Sequence, residues 1–242
     1  MEQHHIHERL FMRPFSFLAL LSFLCALGVQ CTAQEWPASP DQEYHEAIVE
    51  VISGNCKGTG TVVRFLRFTD KYPDYYVALI LTASHVVQDA DDPITIKFNS
   101  GVATTGGKVV KKLPYVYDGF NDLCVIKALV PKSVAPMPLY DGEEIKPNTP
   151  VEMAGFGHAD GFRHWNAPYA GDIHNQDGHV IFSWGIQGDS GGPVIYKGEV
   201  IGVICYGSGL KQHKGTARLE VGPIYSSNVG RIKKFIMEYP KD

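Results

Sequence analysis

Ten short apolar runs rich in β-branched residues, each bounded by Gly, Pro, Asn or Asp, constrain this chain more than any other feature. They cover 47–52, 59–65, 76–82, 94–98, 108–112, 123–128, 151–155, 179–183, 193–196 and 200–206. Short strands at such spacing imply an all-β sandwich or barrel. Lys197-Gly198-Glu199 lies between two of the runs and reads as a hairpin turn. Only the end of the chain looks helical: Asn228 can cap a segment over 228–239 in which Val229, Ile232, Phe235 and Ile236 share one face. Pro131, Pro136, Pro138, Pro147 and Pro150 break any regular element between them. They divide a first unit at about 45–130 from a second at about 150–227, and no internal repeat is visible.

Chemistry concentrates in three places. Gly188-Asp189-Ser190-Gly191-Gly192-Pro193-Val194 sets a serine among backbone-permissive glycines directly before an apolar run, where a nucleophile can be presented. Turn composition explains Gly-Asp-Ser-Gly, but it leaves Gly192-Pro193-Val194 unexplained. A hydroxyl needs a base, and the apolar run 76–81 ends in Thr82-Ala83-Ser84-His85, with His85 at the mouth of a buried strand. The histidines at 158, 164, 174, 179 and 213 follow no such strand. An acid to orient the base is offered by Asp122, which enters the run Leu123-Cys124-Val125-Ile126. Asp118 competes, yet Asp118-Gly119 reads as a solvated turn, which favours Asp122.

In these three motifs and their order His, Asp, Ser, the sequence resembles the trypsin/chymotrypsin-like serine peptidases, particularly their bacterial, HtrA-like secreted branch, over residues 45–236. The resemblance implies two six-stranded β-barrels with a C-terminal helix. It implies a triad of His85, Asp122 and Ser190, with the backbone N–H groups of Gly188 and Ser190 as an oxyanion hole. Nothing follows the terminal helix for a PDZ module, so a stand-alone peptidase is expected. The rival from another class is a non-catalytic secreted binding protein on the same fold.

The resemblance also locates the substrate-binding positions. Trp184, Gly185 and Gln187 border the pocket for the residue before the scissile bond, and Cys205, Tyr206 and Gly207 form the opposite wall, where a substrate strand pairs. No acid stands among 183–187 and Ile204 is not a histidine, so apolar or small side chains are expected there. Glu46-Ala47-Ile48-Val49-Glu50 is not an activation sequence of the Ile-Val-Gly-Gly kind, and Asp189 is expected to find a local partner instead.

The N-terminus carries Arg13, an apolar stretch 14–29 and the small-residue exit Cys31-Thr32-Ala33. This pattern reads as a signal peptide over 1–33 and a mature peptidase domain over 34–242, with Met12 an alternative start. Export makes the protein secreted or periplasmic. Retention of the segment as a membrane anchor, or lipidation at Cys31, are the alternatives. Removal of Cys25 and Cys31 leaves Cys56, Cys124 and Cys205, enough for at most one internal disulfide, and Cys124 reads as a small buried hydrophobe. A formal charge of −4 and the lack of a basic stripe argue against nucleic acid. The histidines between 158 and 179 match no zinc spacing and no cofactor fingerprint appears, so neither metal nor cofactor is expected. The partner expected is a protein or peptide substrate, met by a monomer.

Overall fold

The computed structural model describes residues 46–87, 89–113, 122–157, 161–172, 178–183, 185, 187–207 and 222–237. The N-terminal segment with its expected cleavage point, Asp118, Trp184 and the histidines at 158, 174 and 213 lie outside them. β1 (Ile48–Ser53), β2 (Cys56–Phe68), β3 (Tyr75–Thr82), β4 (Ile94–Phe98), β5 (Ala103–Lys112) and β6 (Cys124–Pro131) close into one antiparallel barrel in the order β1-β2-β3-β6-β5-β4. β7 (Pro150–Gly157), β8 (Gly161–Asp172), β9 (Gly178–Ser183), β10 (Pro193–Tyr196), β11 (Glu199–Gly207) and β12 (Gly222–Asn228) close a second, in the order β10-β11-β12-β9-β8-β7. Helix α1 (Val229–Met237) follows. The expected double barrel with a terminal helix is therefore the fold.

The unbroken apolar run of β3 has a physical reason, since both of its faces are covered. Ala78 and Ile80 point into the first barrel among Val51, Val62 and Ile126. Leu79 and Leu81 point outward, where Ile232, Phe235 and Ile236 of α1 cover them together with Leu123, Val125 and Val203. The helix leaves the second barrel and lies on the first, which straps the two together. Ala154, Ile195 and Val200 of the second barrel join the buried cluster of the first, so one apolar core crosses the junction. The proline-rich connection runs along both barrels. Met137 N–H donates to Val62 O at 2.8 Å, and Tyr140 N–H donates to Val200 O at 3.0 Å.

Three elements differ from the sequence reading. β8 was not expected, because Arg163, His164, Asn166 and Pro168 interrupt its apolar character; its alternation survives only in buried Trp165, Ala167 and Tyr169. β12 reads as turn composition in Gly-Pro-Ile-Tyr-Ser-Ser-Asn, yet it pairs with β9 from Gly222↔Ser183 to Ser227↔Gly178 and buries Ser226 and Ser227 completely. β5 begins at Ala103, five residues before the apolar part that announces it. Asn228 is the last residue of β12, directly before the helix.

Candidate active site

The register Thr82↔Cys124 sets the end of β3 beside the start of β6. His85 and Asp122, just beyond those two strand ends, consequently meet. The chain leaves β3 through a 3-10 turn, Ser84–Val86, which is pinned by a hydrogen bond from Ser84 Oγ to Leu113 O at 2.5 Å. Asp122 is fully buried. Its Oδ1 accepts the backbone N–H of His85 at 2.9 Å, and its Oδ2 lies 2.5 Å from His85 Nδ1. A carboxylate so placed retains a proton on Nδ1 and leaves the lone pair on Nε2. The imidazole itself is a third exposed (33%).

Ser190 comes from the second barrel, in the turn before β10. Gly188 and Gly191 flank it with φ of 105° and 86°, a region that penalises any β-carbon. A β-carbon at Gly191 would also overlap the Thr59 carbonyl and the Thr82 hydroxyl, so glycine is required there twice over. Gly191 N–H donates to Ile204 O at 2.7 Å and Gly192 N–H to Asp189 O at 2.9 Å, which shapes the turn. The N–H groups of Gly188 and Ser190 make no hydrogen bond to any described residue.

Thr59 of β2 ties this turn to the first barrel. Its N–H donates to Ser190 O at 2.8 Å and its hydroxyl to Gly188 O at 2.7 Å, while the hydroxyl accepts Phe156 N–H at 2.8 Å. Its carbonyl accepts the Thr82 hydroxyl at 2.6 Å. A β-carbon on the neighbouring Gly58 would meet both Ser190 O and the side chain of Val86. Ser190 and the residue after His85 thus flank the same glycine. Thr59 and Thr82 were not singled out in the sequence; their position next to Gly58 and Ala83 carried no distinguishing signal.

Asp189 is buried and has its local partner in Arg163 of β8. Arg163 Nε donates to Oδ1 at 3.0 Å and Nη2 pairs with Oδ2, a two-point clamp that matches guanidinium to carboxylate geometry. The guanidinium in turn stacks 4.1 Å over the Trp165 ring. No sequence signal pointed to Arg163, because the strand that carries it was itself not foreseen.

The expected substrate-binding positions are distributed around this turn. Gly185 is half-buried and Gln187 exposed, and Trp184 lies outside the described residues. Cys205 sits at a register shift in β11, with its thiol buried near Asp122 O (3.8 Å), Val203 O (3.2 Å) and Ser227 Oγ (3.5 Å). Tyr206 and Gly207 pair with Tyr225 and Ile224 of β12, whereas the ladder with β10 ends at Pro193↔Val203. Burial pushes the thiols of Cys124 and Cys205 up to about 12, which keeps both unreactive at neutral pH. These two and Cys56 are free thiols. His164 is paired with Glu152 at 2.8 Å and His179 with Asp172 at 2.6 Å.

Residues 58–203, more than half of the chain, match the family model of the trypsin-like peptidase domain. The chain belongs to the trypsin-like serine peptidases. The match includes the segments of His85, Asp122 and Ser190 and stops within β11. Among solved structures, this peptidase is similar to the Rv3671c protease in an inactive form, with 22% identity over 83% of this chain and 97% of that one and a TM-score of 0.56. It is also similar to the serine endoprotease from Yersinia pestis, with 19% identity over 84% of this chain and 67% of that one and a TM-score of 0.61. At these identities the likeness is one of fold. No helix among the described residues is long and apolar enough to cross a membrane.

Proposed function

We propose that the chain is an exported serine endopeptidase in which Ser190 is the nucleophile, His85 the general base and acid, and Asp122 the orienting carboxylate. The observation that carries this reading is the double engagement of His85 by buried Asp122, through the backbone N–H and through Nδ1. With Nδ1 held protonated, Nε2 takes the Ser190 proton as Oγ attacks the carbonyl carbon. The negative charge that develops on the carbonyl oxygen is received by the unengaged N–H groups of Gly188 and Ser190; one such donor is worth about 2.7–4 kcal/mol. Collapse of the adduct breaks the C–N bond, and His85 returns the proton to the leaving amine. Water then attacks the acyl ester with His85 again as base, the C–O bond to Oγ breaks, and Ser190 regains its proton as the acid product departs.

The substrate's acyl side pairs as an added strand with the backbone of Cys205, Tyr206 and Gly207, beyond the point where the β10 ladder ends. The Cys205 side chain faces away toward Asp122 and Ser227, so its backbone is the part that serves. Gly185, Gln187 and Trp184 are assigned to the adjoining pocket, and the absence of an acid from the segment 183–187 favours apolar or small side chains there. The Arg163 clamp on Asp189 supports a chain that needs only signal-peptide removal to become active.

Cleavage of a mixed peptide library by the chain from Gln34, beside Ser190→Ala and read by mass spectrometry, tests the reading. Cuts lost in the variant, with fluorophosphonate labelling of Ser190, are expected. Neither cleavage nor labelling would instead favour a binding protein on the same fold. Export is tested separately, by sequencing the N-terminus of the protein recovered outside the cytoplasm. A start at Gln34 is expected, and recovery of residues 14–29 with the membrane would favour the anchor.

A further inference from the structure

We propose that the seam between the two barrels beyond Ser190 is a subsite that selects a carboxylate side chain two or three residues after the scissile bond. The proposal rests on the peptidase reading above, which sets the acyl side of the substrate against Cys205–Gly207; the segment after the scissile bond then leaves past Gly58, on the far side of Ser190.

Strand register defines what that segment meets. Along β2, Thr59 and Lys57 face the same outer side of the first barrel, because side chains alternate. At Thr59 this side is covered by the Ser190 turn, through the bonds to Ser190 O and Gly188 O. Two residues earlier, at Lys57, the cover ends and a groove of about 400 Å³ begins. One wall comes from the first barrel, with Glu50, Lys57, Lys97 and Phe98; the other is the β7–β8 hairpin, with Phe156 and Phe162. Phe156 is fixed there by its own N–H bond to Thr59, and its ring lies 5.3 Å from that of Phe162. An extended peptide advances about 3.3 Å per residue. Two or three residues beyond the scissile bond therefore span the distance from Ser190 to the groove.

The groove presents two ammonium groups. Glu50 is largely buried and faces Lys57 Nζ at 3.8 Å and Lys97 Nζ at 3.5 Å, while both lysines remain half exposed. Among the described residues that line the groove, two cations face one carboxylate, and at its edge Glu46 Oε2 accepts the N–H of Ser100 at 3.3 Å. Each ammonium has three donors, so both can engage Glu50 and still accept a second carboxylate from an incoming peptide. Lysine or arginine at the same substrate position would meet two ammonium groups across the apolar wall.

The test compares two peptides that differ only in Glu or Ala at the second and third residues after the scissile bond, scored as the ratio of kcat/KM within each enzyme. Any effect common to both peptides cancels. The native chain is expected to favour Glu by about fivefold, the upper range for half-exposed ion pairs, and to lose that preference at high salt. Lys57→Gln/Lys97→Gln brings the ratio to about one, whereas Glu50→Gln, which frees both ammonium groups, raises it. A general weakening of the fold cannot move the ratio in opposite directions. A native ratio near one, or a preference that persists in the double variant, overturns the subsite while leaving the peptidase reading intact. If neither peptide is cut and a peptidyl-coumarin amide without residues after the scissile bond is also untouched, the peptidase reading fails and takes the subsite with it.

Discussion

In the proposed mechanism Asp122 acts by holding another residue still, and its replacement separates orientation from acidity. Asp122→Asn keeps the size of the side chain but favours the wrong imidazole tautomer, so kcat is expected to fall about 10⁴-fold with little change in KM, as measured on the library's best peptide. A drop below tenfold would remove Asp122 from the proposed mechanism. Arg163 presents the opposite case, a residue whose loss exposes its partner. Arg163→Met removes the guanidinium clamp from the buried Asp189 carboxylate, which costs about 3–5 kcal/mol and should lower both the urea midpoint and kcat. Adding Asp189→Asn should recover part of the stability, and a second variant no more stable than the first would argue against the clamp. His85, Asp122 and Ser190 could be singled out in sequence because each lies against an apolar strand or a glycine motif with few alternative readings. Thr59, Thr82 and Arg163 were not, because a threonine or arginine in a strand has many ordinary uses, and only pairing across the barrels gives these three their roles.

At the level of elements, α1 has more influence than its nine residues suggest. Phe235→Ala removes a side chain packed against the outer face of β3 and β6, and a loss of about 3–5 kcal/mol is expected by urea titration. A loss below 1 kcal/mol would mean that the helix does not strap the barrels. Apolar periodicity made this helix and most strands readable. β8 and β12 escaped because barrel closure supplies their partners: β8 is paired along both edges by β7 and β9, and β12 by β11 and β9, so neither needs a strongly β-prone sequence. Tertiary pairing overrides propensity most easily in such strands.

For the whole molecule, pH enters through His179, wedged in the second barrel between Tyr169 OH at 2.8 Å and the Ile201 carbonyl at 3.0 Å. Burial holds its imidazole below the ordinary value of 6.5, and the nearby Asp172 offsets this only in part. The unfolded chain therefore binds a proton near pH 6.5 that the folded chain accepts only at lower pH. The associated stability is complete above that value and declines as pH falls below it. Urea midpoints should accordingly drop from about pH 6.5 downward, and His179→Gln should show a shallower decline; an identical acid limb in the variant would exclude His179 as the cause. The double-barrel architecture was readable from strand spacing and motif order together, while the seam was invisible because its contacts join residues about a hundred positions apart. That seam has a kinetic meaning. Since the single residue Thr59 bonds to Ser190, Gly188 and Phe156, a brief parting of the barrels would separate the proposed reacting groups while both sheets stay intact. Turnover should then fade at lower denaturant than circular dichroism does, which makes enzymatic activity a direct gauge of how tightly the two halves stay closed.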